Sequence, residues 1–219
     1  MKAFLASVLS VLILLGAWPA RSSELEQPAP GEPAYLGHWP DYNMSLGLSY
    51  APAPEVYGYR DGARVTEKLL DQGVLSLAMD WRPRQYALYG FFFESAFSRG
   101  VFILDTGPRI GAQFPVADRW ALYLFGSLGF SLARFNDNSP ILKPDYMPIR
   151  RNYFGGRAGL ALGARYRVNR ASGLFFEISG CLHALDDGPG GLKQREFNEP
   201  YMARLLVSAG FVFGFGDSE

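Results

Sequence analysis

From Phe154 to Val168 the chain switches residue by residue between an apolar side and a side of glycines and arginines. Phe154, Gly156, Ala158, Leu160, Leu162, Ala164, Tyr166 and Val168 fall on one side. Gly155, Arg157, Gly159, Ala161, Gly163, Arg165 and Arg167 fall on the other. Successive side chains of a strand point to opposite faces, so this period of two specifies an extended ribbon with one greasy face. A soluble sheet buries such a face against a core. A membrane barrel turns it to lipid and directs the small and charged residues inward. Which of the two applies decides most of what the chain can do.

Seven further segments carry the same pattern. Tyr42, Met44, Leu46, Leu48 and Tyr50 alternate with Asn43, Ser45, Gly47 and Ser49, and Leu75, Leu77, Met79 and Trp81 with Val74, Ser76, Ala78 and Asp80. A third strand over Gln85 to Phe97 sets Tyr89, Phe91, Phe93 and Phe97 against Glu94; the facing of Leu88 and Phe92 is irregular and suggests a bulge. A fourth opposes Phe102, Leu104, Ile110 and Phe114 to Asp105, Arg109 and Gln113, and Pro108 within it predicts a local irregularity. The fifth runs from Trp120 to Ala133, the seventh from Leu174 to His183 and the last from Ala203 to Phe215. Long connections follow the first, fifth and seventh strands in alternation with tight ones after the second, fourth and sixth: loops at Ala51 to Arg64, Asn136 to Asn152 and Asp186 to Pro200, and turns at Arg82-Pro83-Arg84, Pro115 to Asp118 and Asn169 to Ser172. Only the connection Ser98-Arg99-Gly100 is short where a long one is due. An up-and-down barrel with short inner turns and longer outer loops produces that order.

Charge decides between lipid and solvent. Asp80, Glu94, Asp105 and Glu177 share the small-residue side with Arg109, Arg157, Arg165 and Arg204, four acids and four bases on one side of the sheet. An exported soluble barrel of lipocalin type would carry charge on its outward positions and line its cavity with the apolar face. Here the apolar side is free of charge across the middle of the strands. In a barrel of eight strands the interior is just wide enough for side chains to fill, and glycine and serine leave room for mutually satisfied arginine–carboxylate pairs. The fold expected is therefore all-β: an antiparallel, up-and-down, eight-stranded transmembrane β-barrel over residues 42–216, with a packed polar interior. Trp81 and Trp120 beside tight turns predict one aromatic girdle, and Tyr50 and Phe97 the other.

The N-terminus predicts export. Met1-Lys2 is followed by an uncharged apolar run from Ala3 to Gly16 and by small residues around Ala20-Arg21-Ser22, so residues 1–22 read as a signal peptide cleaved after Ser22. The run is too short to span a bilayer as a helix, which takes roughly 20 residues. Residues 23–41, rich in Pro and Glu, read as a linker, and 217–219 as a tail. Balanced charge, with 21 basic and 21 acidic residues, gives no reason to expect nucleic acid as a partner.

Gly210-Phe211-Val212-Phe213-Gly214-Phe215 resembles the β-signal of bacterial outer-membrane proteins, with Gly210, Phe213 and Phe215 as its anchor positions. The whole stretch from Tyr42 to Gly216 is similar in layout to the eight-stranded outer-membrane β-barrel superfamily, which includes the OmpA transmembrane domain, OmpX and OmpW. That resemblance implies the outer membrane of a Gram-negative bacterium, insertion by the β-barrel assembly machinery, and a monomer among outer-membrane lipids and lipopolysaccharide.

The chain offers little for catalysis. His183 stands near the acidic pair Asp186-Asp187, and eight-stranded lipid A-modifying enzymes use His and Ser at a barrel rim. Their His-x-Ser arrangement is here His183-Ala184-Leu185. Ser179 lies roughly 13 Å along the same strand, beyond direct proton transfer; Ser208 is on another strand and nothing in the sequence selects it. His38 and His183 lie in unrelated segments, Cys181 is a lone inward thiol, and neither a metal nor another cofactor is expected. Arg150 and Arg151 could meet lipopolysaccharide phosphates from the longest loop. The expected function is a non-enzymatic envelope or surface protein acting through its loops. A narrow passage for small solutes is the alternative, and a lipid A-modifying enzyme the more distant one.

Overall fold

Alternation becomes ten strands in a single antiparallel sheet: β1 Tyr42–Ala51, β2 Glu55–Arg60, β3 Ala63–Lys68, β4 Gln72–Trp81, β5 Ala87–Ser98, β6 Val101–Ala117, β7 Trp120–Phe135, β8 Arg151–Arg167, β9 Ser172–Asp186 and β10 Asn198–Phe215. The computed structural model describes residues 41–60, 63–83, 86–117, 119–136, 151–169, 171–186 and 198–215. The expected signal peptide, all but Asp41 of the expected linker, and the tail lie outside the described residues. Strands β1 and β4 to β10 each pair with the next, and β1 pairs with β10 from Tyr42↔Phe215 to Tyr50↔Val207, closing an eight-stranded barrel. Closure leaves none of these strands with an open edge over its paired length.

The facing of the strands follows their parity. Asn43, Ser45 and Ser49 of β1 are buried in the lumen, while Tyr42 and Tyr50 are exposed on the outer wall. The outward side chains are large and apolar: Phe130 is 77%, Leu160 68%, Leu128 67% and Leu182 66% exposed. An apolar surface so continuous is what a lipid solvent requires and what water would penalise.

Four expectations are corrected. The connection read as a loop from Ala51 to Arg64 is a hairpin, β2–β3, whose β2 pairs with the outer part of β10 through Tyr201↔Tyr57, Met202↔Val56 and Ala203↔Glu55. It extends β1 and β4 beyond the barrel, after breaks at residues 52–54 and 69–71. Pro52 and Pro54 have no N–H to continue the ladder. No bulge interrupts β5: its pairing with β4 and β6 is continuous, and both Leu88 and Phe92 face the lumen. The register is likewise unchanged across Pro108, and the shift falls between Pro115 and Ala117, where a turn was expected and β6 still continues.

The fourth correction concerns the lumen, which is not uniformly polar. Towards the outer end Val56, Leu69, Val74, Ile103, Phe135, Tyr153, Met202 and Leu206 form one apolar cluster. Val56 and Leu69 reach it from either side of the β2–β3 hairpin, so the extension also caps the barrel. The charged side chains begin within its inner part, where Arg204 stands between Met202 and Leu206 and His183 faces Met202, and continue towards the inner end.

Candidate functional site

The barrel's charged layer is built from residues that alternate inward on six strands. Asp80 at the inner end of β4 receives Arg109 Nε and Nη2, at 2.6 Å each, in a two-pronged pair, and Arg165 Nη2 at 2.7 Å. Arg165 Nη1 also donates to Gln113 Oε1 at 2.9 Å. Gly90, the cross-strand neighbour of Asp80, makes this possible, because a Cβ there would collide with the carboxylate.

A second centre forms around Asp105 of β6. Arg204 Nη2 donates to its Oδ2 at 2.5 Å, and Arg157 Nε stands 3.8 Å away. His183 Nε2 lies 3.1 Å from Oδ2, and Ser131 Oγ donates to Oδ1. Glu94 joins the two arginines, 3.0 Å from Arg157 Nη2 and 3.5 Å from Arg204 Nη2. Glu177 is served differently: the Tyr123 hydroxyl donates to it at 3.0 Å. Gly163 leaves the space that the Tyr123 ring occupies. Aromatic faces complete the arginine shells, with Arg109 over Phe125 and Arg157 over Phe92, each 4.3 Å from the ring centroid.

Seven of the eight charged residues expected inside thus meet in two groups, Asp80 with Arg109 and Arg165, and Asp105 and Glu94 with Arg157 and Arg204, while Glu177 is held by Tyr123. Charge-assisted bonds of this geometry offset the cost of dehydrating eight ions, and formal charge cancels within the layer. Among the described residues, cavities of about 30 and 20 Å³ both touch Phe92, Glu94, Arg109 and Glu177. Each is of the size that holds a single water.

His183 takes a carboxylate partner from across the lumen, Asp105; Asp187 of the acidic pair expected near it lies outside the described residues. The histidine is 1% exposed, its Nδ1 is 3.4 Å from the Met202 carbonyl oxygen, and its carboxylate partner comes from β6. Ser131 and His183 both converge on Asp105, whereas a hydrolase relay needs the histidine between serine and acid. Ser208 pairs with Glu177 while His183 pairs with Met202, an offset of six residues, or roughly 20 Å along β10. Neither Ser208 nor Ser179 can pass a proton directly to this imidazole. Among the described residues no group of three His, Cys, Asp or Glu is placed to hold a metal ion. Cys181 is buried and free.

At the inner end Trp81 is exposed and 6.3 Å from Tyr89, and Trp120 lies 4.9 Å from Tyr166, ring centre to ring centre. At the outer end Phe97 packs 5.2 Å from Phe102, and the Tyr50 hydroxyl donates to Asp71 Oδ2 at 2.5 Å. Gly210 lies opposite Gly47, Phe213 opposite Met44 and Phe215 opposite Tyr42, so the β-signal-like residues form the closing seam. Arg150 lies outside the described residues; Arg151 opens β8 at the outer end, and its side chain lies outside them as well. Sequence reasoning put Tyr123 and Gln113 on the inward side without assigning them to the charged network, and it missed the roles of Phe92 and the Asp71 contact. For Tyr123 and Gln113 the inward parity was the available signal.

No protein-family model matches the chain, and no curated relative matches it in sequence. Solved structures do. Neisserial surface protein A superposes with a TM-score of 0.52 at 10% identity, over 80% of this chain and 97% of that one. OprG of Pseudomonas aeruginosa gives 0.47 at 14% identity, over 83% and 99%. Ail, the attachment invasion locus protein of Yersinia pestis, gives 0.42 at 11%, over 79% and 99%. The closed eight-strand topology and the first of these likenesses establish the architecture: the chain has the fold of the eight-stranded outer-membrane β-barrels.

Proposed function

We propose that this is a small integral outer-membrane protein of a Gram-negative envelope, exported with a signal peptide cleaved after Ser22, and non-enzymatic. It works through its outer loops or by supporting the integrity of the membrane it spans. The observation that carries this reading is the side-chain-packed lumen, in which an apolar cluster meets a charge-balanced network and two cavities among the described residues are water-sized. Side chains packed in this way favour the loops and the outer wall as working surfaces. Arg150 and Arg151 are the loop residues best suited to lipopolysaccharide phosphate, since a guanidinium presents a planar fork to it. The β-signal-like end of β10 fits insertion as a monomer by the barrel assembly machinery.

Fractionation paired with a heat-shift gel tests the membrane assignment. The mature protein should be recovered with outer membranes and run anomalously in SDS until heated. Recovery in the soluble periplasmic fraction would overturn it. Planar-bilayer recordings should show no channel events; discrete conductance steps would favour the narrow passage instead. An altered lipid A acylation pattern in a His183→Ala strain would favour the enzyme.

A further inference from the structure

Glu177 is the inward carboxylate that the arginines do not reach. Asp80 takes two guanidiniums, from Arg109 and Arg165, while Glu94 and Asp105 share those of Arg157 and Arg204. Among the described residues the Tyr123 hydroxyl alone donates to Glu177, at 3.0 Å, and no cation stands at ion-pair distance from it. A carboxylate offers about four acceptor sites on its two oxygens, so a single phenol leaves most of them unserved. The formal charges match this unequal sharing. Asp80 with its two arginines carries one positive charge in excess, and Glu177 carries the negative charge that would cancel it.

The space between the two is polar. Arg109 commits Nε and Nη2 to Asp80, and its Nη1 has no acceptor among the described side chains. Arg109 and Glu177 both line the two cavities of about 30 and 20 Å³. The larger also touches Ser45, which is 6% exposed and whose Oγ has no hydrogen-bond partner. Buried hydroxyls are nearly always satisfied, by protein or by ordered water. Both cavities exceed the roughly 10–15 Å³ that one water needs, and their hydroxyl, carboxylate and guanidinium groups supply the partners it requires. An apolar guest would leave Glu177 and Ser45 unserved, and a bound cation would face Arg109 across the same space.

We propose that the two cavities form an internal water site, in which ordered waters bridge Arg109 Nη1 to the Glu177 carboxylate and give the Ser45 hydroxyl its partner. Two charged groups more than a direct hydrogen bond apart are thereby joined through solvent. Such a bridge is enthalpically close to a direct bond, and it lets Arg109 keep its two-pronged hold on Asp80.

The full-length mature protein is folded into bilayers of deuterated lipid, and magnetisation is transferred from water to protein by solid-state NMR. Wild type should show transfer to Ser45 and Glu177, and only background at Ile103 in the apolar cluster. Carbon–nitrogen recoupling between the Glu177 carboxyl and the Arg109 guanidinium should give the separation of a water-bridged pair. Glu177→Gln keeps polar atoms for a water and should preserve the transfer to Ser45. Glu177→Met, of similar length but apolar, should reduce that transfer to the Ile103 background. Background-level transfer at Ser45 and Glu177 in wild type overturns the inference, as does a direct-contact separation of Arg109 and Glu177. Transfer at Ile103 as strong as at Ser45 also overturns it, because water would then fill the lumen without a site. Unchanged transfer to Ser45 in Glu177→Met does the same. If Glu177→Met gives no heat-shifted band, the wild-type transfer and the recoupled separation decide the matter alone.

Discussion

Inside one lumen, on strands of the same inward parity, the middle of this barrel is ionic and the outer end apolar. Asp80, Asp105, Arg157, Arg165 and Arg204 are as buried as Ile103, Phe135 and Leu206. The two regions specify the fold in different ways. An apolar cluster tolerates rearrangement as long as volume is filled. An ion pair accepts one geometry, and each pair here joins distant strands, with Arg204–Asp105 separated by 99 residues and Arg165–Asp80 by 85. A one-residue slip of any strand would send its charges into lipid. The charged layer therefore fixes register, and the apolar cap closes the mouth.

The harshest way to break that contrast is Asp105→Ala. It leaves Arg204 buried without its shortest acceptor and should cost about 4 kcal/mol of stability, read from urea unfolding in lipid vesicles by the fluorescence of the girdle tryptophans. Asp105→Leu combined with Arg204→Met removes both charges and should recover most of the loss, while Arg157 keeps Glu94 at 3.0 Å. If the double variant were as unstable as the single one, the layer would owe its value to something other than charge pairing.

In the apolar cap Leu206→Ala should cost about 3 kcal/mol, the transfer and cavity terms together. Bilayers holding this variant should stay electrically silent, because the arginine–carboxylate groups on either side of Leu206 still fill the lumen. Channel events in Leu206→Ala would move the seal to the cap alone. Smaller again is Gly163→Ala, which drives a methyl into the Tyr123 ring and should cost about 2 kcal/mol. A Tyr123→Ala background should absorb only part of that loss, since the Phe176 carbonyl oxygen, 2.5 Å from the same position, remains.

The inward parity of the charged residues was readable because a strand has a period of two and the lipid face admits no charge; Arg157 and Arg165 reveal it within a single segment. The cap was harder to read. Val74, Ala96 and Ile103 share parity with Asp80, Glu94 and Asp105, and only their distance from the inner turns marks them as a separate layer. The β2–β3 hairpin was hidden by Pro52 and Pro54, although Val56 and Gly58 alternate with Tyr57 and Tyr59 beyond them. The Asp105 partner of His183 was not readable at all. Which residues meet across a lumen depends on the stagger of the closed sheet, and alternation along a strand carries no information about that stagger.

The mildest test concerns the joint between barrel and cap. Asp71 accepts from the Tyr50 hydroxyl at 2.5 Å and from Ala53 N–H at 3.0 Å, clasping the break before the hairpin that delivers Val56 and Leu69 to the lumen. The Tyr50 hydrogen bond first, and the Ala53 one second, hold the Asp71 carboxyl below the 3.8 of a free side chain. A folded value below the unfolded one means that the clasp contributes fully above about pH 4 and is lost as pH falls through the lower, folded value. Amide exchange at Ala53 should therefore quicken only under acid, ahead of any change at the charged layer. Asp71→Asn should remove that acid step while leaving the barrel folded. An exchange profile that responds to acid equally in wild type and Asp71→Asn would show that the cap is held by its apolar contacts alone, with the rim carboxylate a bystander.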